Sequence, residues 1–188
     1  MPHFFNRHPE VDYDMGLTGN SVTVQNPLVR FKLKDALKSR SALYYSHNLE
    51  EGQSIQYIAN QYYEDPTLDW VIYVVNDIID PQFDLPLDYQ DFINFVKGKY
   101  GSIESALNTN HHYEQIIQTH QVLFDGTVVP EKTIEVDATT YVGLAVDEKR
   151  AVDNYTYEQN LNESKRRIKV LHKDYLVQIL DEIESIFE

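Results

Sequence analysis

The stretch 43–86 constrains the fold of this chain more than any other part of the sequence. Residues 43–45 are an aromatic run typical of a strand, and Gly52 lies in the turn that follows. Apolar residues at helical spacing then predict a first short helix: Ile55, Ile58, Ala59 and Tyr62. Pro66 breaks the chain after this helix. A second apolar set then predicts another helix that ends at Asn76, and its members are Leu68, Val71, Ile72 and Val75. Because helices this short are unstable alone, we expect the strand and both helices to pack together.

The rest of the chain mixes helices and strands. Residues 1–20 form an irregular arm, residues 21–24 alternate as a strand, and residues 27–38 fit either a strand or a helix. Asp88 as N-cap and Gly101 as stop delimit a helix over 88–100. Further helices are predicted at 103–107, 153–166 and 173–187. Strands are predicted at 168–171 and, as two or three antiparallel segments turned at Asp125-Gly126, within 112–145.

These elements predict an α+β fold. It contains a strand–helix–helix unit, additional helices, a small antiparallel β region and an amphipathic terminal helix. We expect an N-terminal arm with a leading strand over 1–42, the strand–helix–helix unit with its following helices over 43–110, and a hairpin region with the terminal helical segment over 111–188. The terminal helix carries one apolar stripe opposite an acidic side, and that stripe consists of Leu176, Ile179, Leu180, Ile183, Ile186 and Phe187.

Composition excludes several functions. The net charge of −14 opposes binding to nucleic acid or to anionic membranes, because both carry the same sign. Disulfides and thiolate metal sites are excluded because the chain has no cysteine. No apolar run is long enough to cross a membrane and the first ten residues lack the pattern of a signal peptide, so we expect a soluble protein. The 14 tyrosines suit surfaces that become buried against partners, as well as a core.

The acidic residues do not predict catalysis. A glycan hydrolase needs two carboxylates, one of them in an apolar pocket that raises its pKa. The acidic pairs in this sequence instead have the context of helix caps and solvated faces: Asp77 with Asp80, Glu50 with Glu51, and Asp88 with Asp91. His111 and His112 are adjacent on an expected strand, so their side chains should point to opposite faces rather than share a metal. We expect no enzymatic activity, no cofactor and no metal.

Several segments carry a family resemblance. The strand–helix–helix pattern resembles the LysM fold. More specifically, the chain from 21 to 188 resembles the small baseplate wedge subunit of contractile-tailed bacteriophages, which has a LysM-like domain. The matching segments, in chain order, are 65–72, 76–81, 85–87, 99–102, 111–114, 154–158 and 162–171. The arm before residue 21 does not match this pattern.

The resemblance implies a structural role in the virion. Such a subunit is made in the host cytoplasm, docks on neighbouring wedge proteins and on proteins near the tail tube, and helps wedges join into the baseplate. The terminal helix packs on its own domain or lies in a partner's groove. Trp70 is either a core residue or an interface anchor. The candidate partner-binding residues are Tyr44, Tyr45, Trp70, Tyr73, Leu176, Ile179, Ile183, Ile186 and Phe187.

The alternative is a LysM module that binds peptidoglycan or other polymers of N-acetylglucosamine. The family's groove lies between the loop after the first strand and the loop after the second helix, which are residues 49–54 and 76–80 here. Tyr44, Tyr45 and Trp70 are the rings that would stack on sugars. A single unit without an export signal or an obvious closing strand after Asn76 favours the structural role instead.

Overall fold

A computed structural model describes residues 8–17, 19–26, 28–29 and 38–187, with side chains as far as Asp181. Most of the 27–38 segment, for which either a strand or a helix was expected, lies outside this description, as do the side chains of Ile183, Ile186 and Phe187. The chain is α+β with small antiparallel sheets, as predicted. It divides into two compact units, Met1–Pro86 with Lys165–Glu188, and Leu87–Ser164. We call them the split unit and the inserted unit.

The described elements follow in chain order. The strands are β1 (Glu10–Tyr13), β2 (Val22–Gln25), β3 (Tyr44–Asn48), β4 (Asn110–Gln118), β5 (Gln121–Val122), β6 (Val128–Val129), β7 (Lys132–Val136), β8 (Lys149–Asp153) and β9 (Arg167–Leu171). The α-helices are α1 (Ile55–Tyr63), α2 (Asp69–Val75), α3 (Pro81–Asp84), α4 (Tyr89–Tyr100), α5 (Ile103–Asn108), α6 (Ala138–Gly143), α7 (Asn154–Ser164) and α8 (Lys173–Phe187). Short 3-10 helices occur at Ser41–Leu43, Pro66–Leu68 and Val146–Glu148.

The split unit is built on two strands that are far apart in sequence. Strand β3 pairs antiparallel with β9, in a register that runs from Tyr44 opposite Leu171 to Asn48 opposite Arg167. Helices α1 and α2 contribute most of the core, and β9 and α8 complete it. The units therefore differ from the expected ranges 43–110 and 111–188, because β9 and α8 belong with β3 and residues 87–110 belong to the inserted unit.

Local capping explains why α1 and α2 are separate helices. The Ser54 side chain accepts a hydrogen bond from the Tyr57 N–H at 3.2 Å and so fixes the start of α1. Glu64 ends that helix in the left-handed conformation, with φ of 60°. The Asp65 side chain then accepts a hydrogen bond from the Thr67 N–H at 2.9 Å and so caps the 3-10 helix that begins at Pro66, directly ahead of α2. The break and both predicted helices are confirmed.

Asn76 ties the end of α2 to β9. Its side-chain amide donates to the carbonyl oxygens of Ile72 at 2.8 Å and Lys169 at 2.7 Å, and its side-chain oxygen accepts from the Lys169 N–H at 2.8 Å. The amide thus bonds to both backbone polar groups of Lys169, as a neighbouring strand would. Sequence patterns predicted Asn76 only as a helix end.

The inserted unit has its own sheet and its own small core. Its three strands lie in the order β7-β4-β8, all antiparallel, and β5 pairs with β6 in a separate hairpin. Helix α4 ends at Gly101, whose φ is 83°. Asp88 occupies the predicted N-cap position without a side-chain capping hydrogen bond. Phe92, Val96 and Ala106 form a buried cluster, and Phe95, expected on the same stripe, is exposed.

Helix α6 and strand β8 of the inserted unit were not predicted, and β4 to β7 are four strands where two or three were expected. Helix α6 forms within 112–145, where only strands were expected, because the Asp137 side chain accepts from the Thr140 N–H at 2.8 Å and caps it. Strand β8 has little apolar alternation of its own, and its pairing with β4 defines it.

Replacing Asn76 should destabilise the split unit. We expect Asn76→Ala to lower the free energy of unfolding by about 1–3 kcal/mol, because the polar groups of Lys169 lose their partner. Urea unfolding of the full chain measures this change. Asn60→Ala, at an exposed position of α1, is the control and should change stability by less than about 0.5 kcal/mol. Equal effects of the two substitutions would contradict a bridging role for Asn76.

Candidate interaction surfaces

Three of the predicted partner-binding residues lie in the core of the split unit. Trp70 is 6% exposed, Leu176 is similarly buried, and Ile179 is 9% exposed. Trp70 therefore has the surroundings of a core residue rather than those of a surface anchor. The two helix residues show that the first half of α8 packs within its own unit, which was one of the two arrangements left open by the sequence.

The tyrosines of the predicted set are more accessible. Tyr44 and Tyr73 are half-buried at the edge of the core, and burial raises the pKa of both phenols. The Lys169 ammonium lies over the Tyr44 ring, 5.8 Å from its centroid. Tyr45 is exposed on β3. Of the six predicted residues with described side chains, only Tyr45 is largely available to a partner.

Tyr45 belongs to an aromatic cluster that the sequence did not predict. Its ring stacks on His172, with centroids 4.6 Å apart, and lies 5.7 Å from the ring of Tyr62. The Tyr62 hydroxyl bonds to Nδ1 of His47 at 3.1 Å, and Nε2 of His47 lies 3.0 Å from the Gln53 side-chain oxygen. The members come from β3, α1 and the residue after β9, so only the β3–β9 pairing brings them together.

The inserted unit exposes a run of apolar residues on the hairpin of β5 and β6. We call residues 121–129 the Phe124 hairpin. Val122, Leu123 and Val128 are exposed, and the Phe124 ring is fully exposed. Val122, Leu123 and Phe124 are consecutive, and neighbouring exposed apolar side chains are a feature of interaction surfaces. The predicted Asp125-Gly126 turn is confirmed, whereas the projecting apolar side chains were not predicted.

Hydrogen bonds hold the tip of the Phe124 hairpin in one conformation. The Leu123 N–H donates to the Thr127 carbonyl and the Gly126 N–H donates to the Leu123 carbonyl, each at 2.9 Å. The Asp125 carboxylate accepts from the Thr127 N–H at 2.9 Å, and this bond lowers the pKa of Asp125. Gly126 supplies the positive φ, 82°, that the turn requires. The tip is therefore ordered by its own backbone before any partner binds.

The acidic pairs considered for catalysis are exposed and act in local structure. Asp80 caps α3 by accepting from the Gln82 N–H at 3.1 Å. Asp77 forms an ion pair with Lys38, and Glu51 lies 3.7 Å from the Arg166 guanidinium. The remaining members, Glu50, Asp88 and Asp91, are also exposed. None of these six carboxylates is enclosed in an apolar pocket.

The prediction for His111 and His112 was wrong. Their Nδ1 atoms lie 2.9 Å apart, although successive strand residues should point to opposite faces. A β-bulge between Asn110 and His112 in the pairing with β8 removes that alternation. The His111 ring stacks on Tyr157, with centroids 3.7 Å apart. Among the residues that the structure describes, no group of three or more metal-type ligands is present.

The sequence did not predict that Glu158 would be a buried carboxylate. Glu158 on α7 is 4% exposed and accepts hydrogen bonds from Nζ of Lys99 at 2.6 Å and from the Tyr100 hydroxyl at 2.8 Å. Burial alone would raise its pKa. The hydrogen bonds and the Lys99 charge outweigh that effect and hold the pKa of Glu158 below its usual value. Since it is ionised and paired, this carboxylate joins α7 to α4 and is unsuited to general acid catalysis.

Comparison with known proteins adds no assignment. No protein-family model matches the chain, and no curated protein matches it. Over the part of the chain that the structure describes, no helix has the length and apolar character needed to cross a membrane.

Two positions of α8 test whether this helix packs within its own unit. Ile179→Asp should lower the free energy of unfolding by at least about 3 kcal/mol, because it places a charge in the core. Val177→Asp is the matched control, since Val177 is 65% exposed on the same helix, and it should stay within about 0.5 kcal/mol of the wild type. Denaturant unfolding of both variants measures the difference. A stable Ile179→Asp protein would contradict the core position.

The Glu158 pair should make stability depend on pH. Because the folded pKa lies below the ordinary value of 4.5, the contribution is present above that value and is lost as the pH falls through the folded pKa. We expect Glu158→Gln to be about 1–3 kcal/mol less stable than the wild type at pH 7, with the difference shrinking as the pH falls below 4.5. Unfolding curves between pH 3 and 7 measure this difference, and Glu148→Gln, at an exposed position, is the control. A stability difference between Glu158→Gln and the wild type that does not change with pH would refute the pairing.

Proposed function

We propose that this chain is a non-enzymatic structural subunit of a phage tail baseplate, which docks on neighbouring wedge proteins and helps join wedges. The observation that carries the proposal is the Phe124 hairpin, a rigid turn that holds a fully exposed aromatic ring. Phe is a large apolar anchor, and a tip already ordered loses little conformational entropy on binding. Such anchors supply much of the free energy of protein–protein interfaces.

The arrangement of the split unit supports the LysM-like part of the proposal. Strand β3 and helices α1 and α2 follow one another in the order that the resemblance implies and share one core, and β9 pairs antiparallel with β3. Strand β9, which pairs with β3, comes after the inserted unit in the sequence and does not follow Asn76 directly. A LysM-like unit interrupted in this way carries two sets of surfaces in one chain, one on each unit. Binding through both strengthens attachment without requiring either contact to be tight.

The glycan-binding alternative has less support. Of the three rings that would stack on sugars, Trp70 is buried and Tyr44 is half-buried beside the Lys169 ammonium. Leu49, in the first loop of the expected groove, is also buried. The exposed Tyr45 ring stacks on the half-buried His172, and this pair is the specific observation that keeps the alternative testable.

The Phe124 hairpin provides the test of the structural role. In cells that produce the intact particle, the wild-type chain should sediment with tails or baseplates at a fixed ratio to the tube proteins. Phe124→Ser should reduce this incorporation about tenfold or more, because a central aromatic anchor is lost. Quantitative mass spectrometry across the gradient measures the ratio.

A matched control tests whether the loss of any exposed apolar side chain, rather than of the hairpin's, reduces incorporation. Val146→Ser removes another exposed apolar residue of the inserted unit, away from the hairpin, and should incorporate normally. Normal incorporation of Phe124→Ser would exclude the hairpin as an anchor. Wild-type protein that stays slow in the gradient and pellets with added peptidoglycan would overturn the structural role in favour of glycan binding.

A further inference from the structure

The N-terminal hairpin has two chemically different faces. Strands β1 and β2 pair antiparallel, with Val11 opposite Val24 and Tyr13 opposite Val22. Because side chains alternate along a strand, these four residues share one face, which we call the hairpin's apolar face. The intervening pairs, Glu10 with Gln25 and Asp12 with Thr23, lie on the opposite, polar face.

The apolar face is open to solvent. All four of its side chains are exposed. Between the two strands, Met15 is 84% exposed and Leu17 is 95% exposed, so the connecting turn also presents apolar side chains to solvent. A contiguous exposed apolar patch of this kind marks an interaction site in a soluble protein.

The hairpin forms without help from a larger sheet. Within the described residues, β1 and β2 pair only with each other. The Asp14 carboxylate accepts from the N–H groups of Gly16 at 3.1 Å and Gly19 at 2.7 Å, and the Thr23 hydroxyl donates to Asp12 at 2.7 Å. These bonds fix the register and the turn. A two-stranded hairpin is only marginally stable in water, so burial of its apolar face would stabilise it substantially.

Charge identifies the kind of surface that covers the apolar face. Residues 8–26 include Glu10, Asp12 and Asp14 but no lysine or arginine. A second copy of the chain would bring the same acidic hairpin and a net charge of −14, so like charges oppose self-association. The end of α8 includes Asp181, Glu182 and Glu184, so like charges also oppose its packing on the apolar face. A partner surface with basic residues around an apolar centre matches both features.

We propose that the N-terminal hairpin docks, through Val11, Tyr13, Val22 and Val24, on an apolar patch of another baseplate protein that is rimmed by lysine and arginine. The proposal rests on the structural role proposed above and adds a second attachment site, on the split unit. Glu10 and Asp12 on the polar face and Asp14 at the turn speed the encounter through longer-range attraction to the basic residues, and the apolar residues then slow dissociation.

Adjacent residues of β2 offer a matched test. Val24→Thr keeps a β-branched side chain of similar shape and adds a hydroxyl to the apolar face. Gln25→Thr introduces the same residue on the polar face. The full chain is titrated against purified wedges assembled without it, and binding is measured by sedimentation. We expect Val24→Thr to bind about tenfold more weakly, Val11→Thr/Val24→Thr to bind more weakly still, and Gln25→Thr to bind as the wild type does.

Salt and charge variants test the nature of the partner. Binding of the wild type should weaken as NaCl is raised, and Glu10→Gln/Asp12→Asn should reduce that salt dependence. Affinity independent of salt would overturn the basic rim. A dimer of the chain alone that is lost in Val24→Thr would show that a second copy covers the face and would also overturn the proposal.

Failure of this proposal differs from failure of the structural role. Wild-type protein that does not bind wedges at all contradicts the baseplate function. Wild-type protein that binds, with Val24→Thr binding equally well, leaves that function intact and excludes the hairpin as a docking site.

Discussion

The antiparallel pairing of β3 with β9 is the interaction on which the split unit depends. Ile168, Val170 and Leu171 of β9 are all buried in the core that α1 and α2 share. Without β9, two helices of this length would lack a surface on which to pack. The pairing is possible across a long intervening chain because loop-closure entropy rises only slowly with length, and because residues 87–164 fold around their own core rather than remaining a loose loop.

Each unit contains an asparagine side chain that bonds to both backbone polar groups of a distant residue. Asn76 binds both backbone polar groups of Lys169, and Asn162 does the same to Leu87, which donates its N–H at 2.7 Å and accepts at its carbonyl at 3.0 Å. Asn162 is buried, as is Glu158 one turn earlier on α7. In each case an asparagine side chain, at the end of α2 or within α7, bonds to the backbone N–H and carbonyl of a residue far away in sequence.

Local elements were predictable from the sequence, and distant pairings were not. The bounds of α8 and the stop of α4 at Gly101 follow from apolar spacing and capping residues. The stripe on α8 showed which side is buried, but not that Leu176 and Ile179 pack in their own unit. The bulge at His112 removed the alternation expected of a strand, and the cap at Asp137 started a helix where only strands were expected. The partners of Asn76 and Glu158 lie far away in sequence, where periodicity carries no information.

Charge and exposed apolar surface act together in the proposed assembly role. The Phe124 hairpin and the N-terminal hairpin both expose apolar side chains, which in a neutral protein would favour self-association. A net charge of −14 opposes contact between identical copies and leaves contact with basic surfaces favourable. The apolar residues then determine how long a contact lasts, and the acidic residues determine which surfaces can approach. In the proposed role, this division of labour would keep copies of the subunit apart and favour contact with partners of opposite charge.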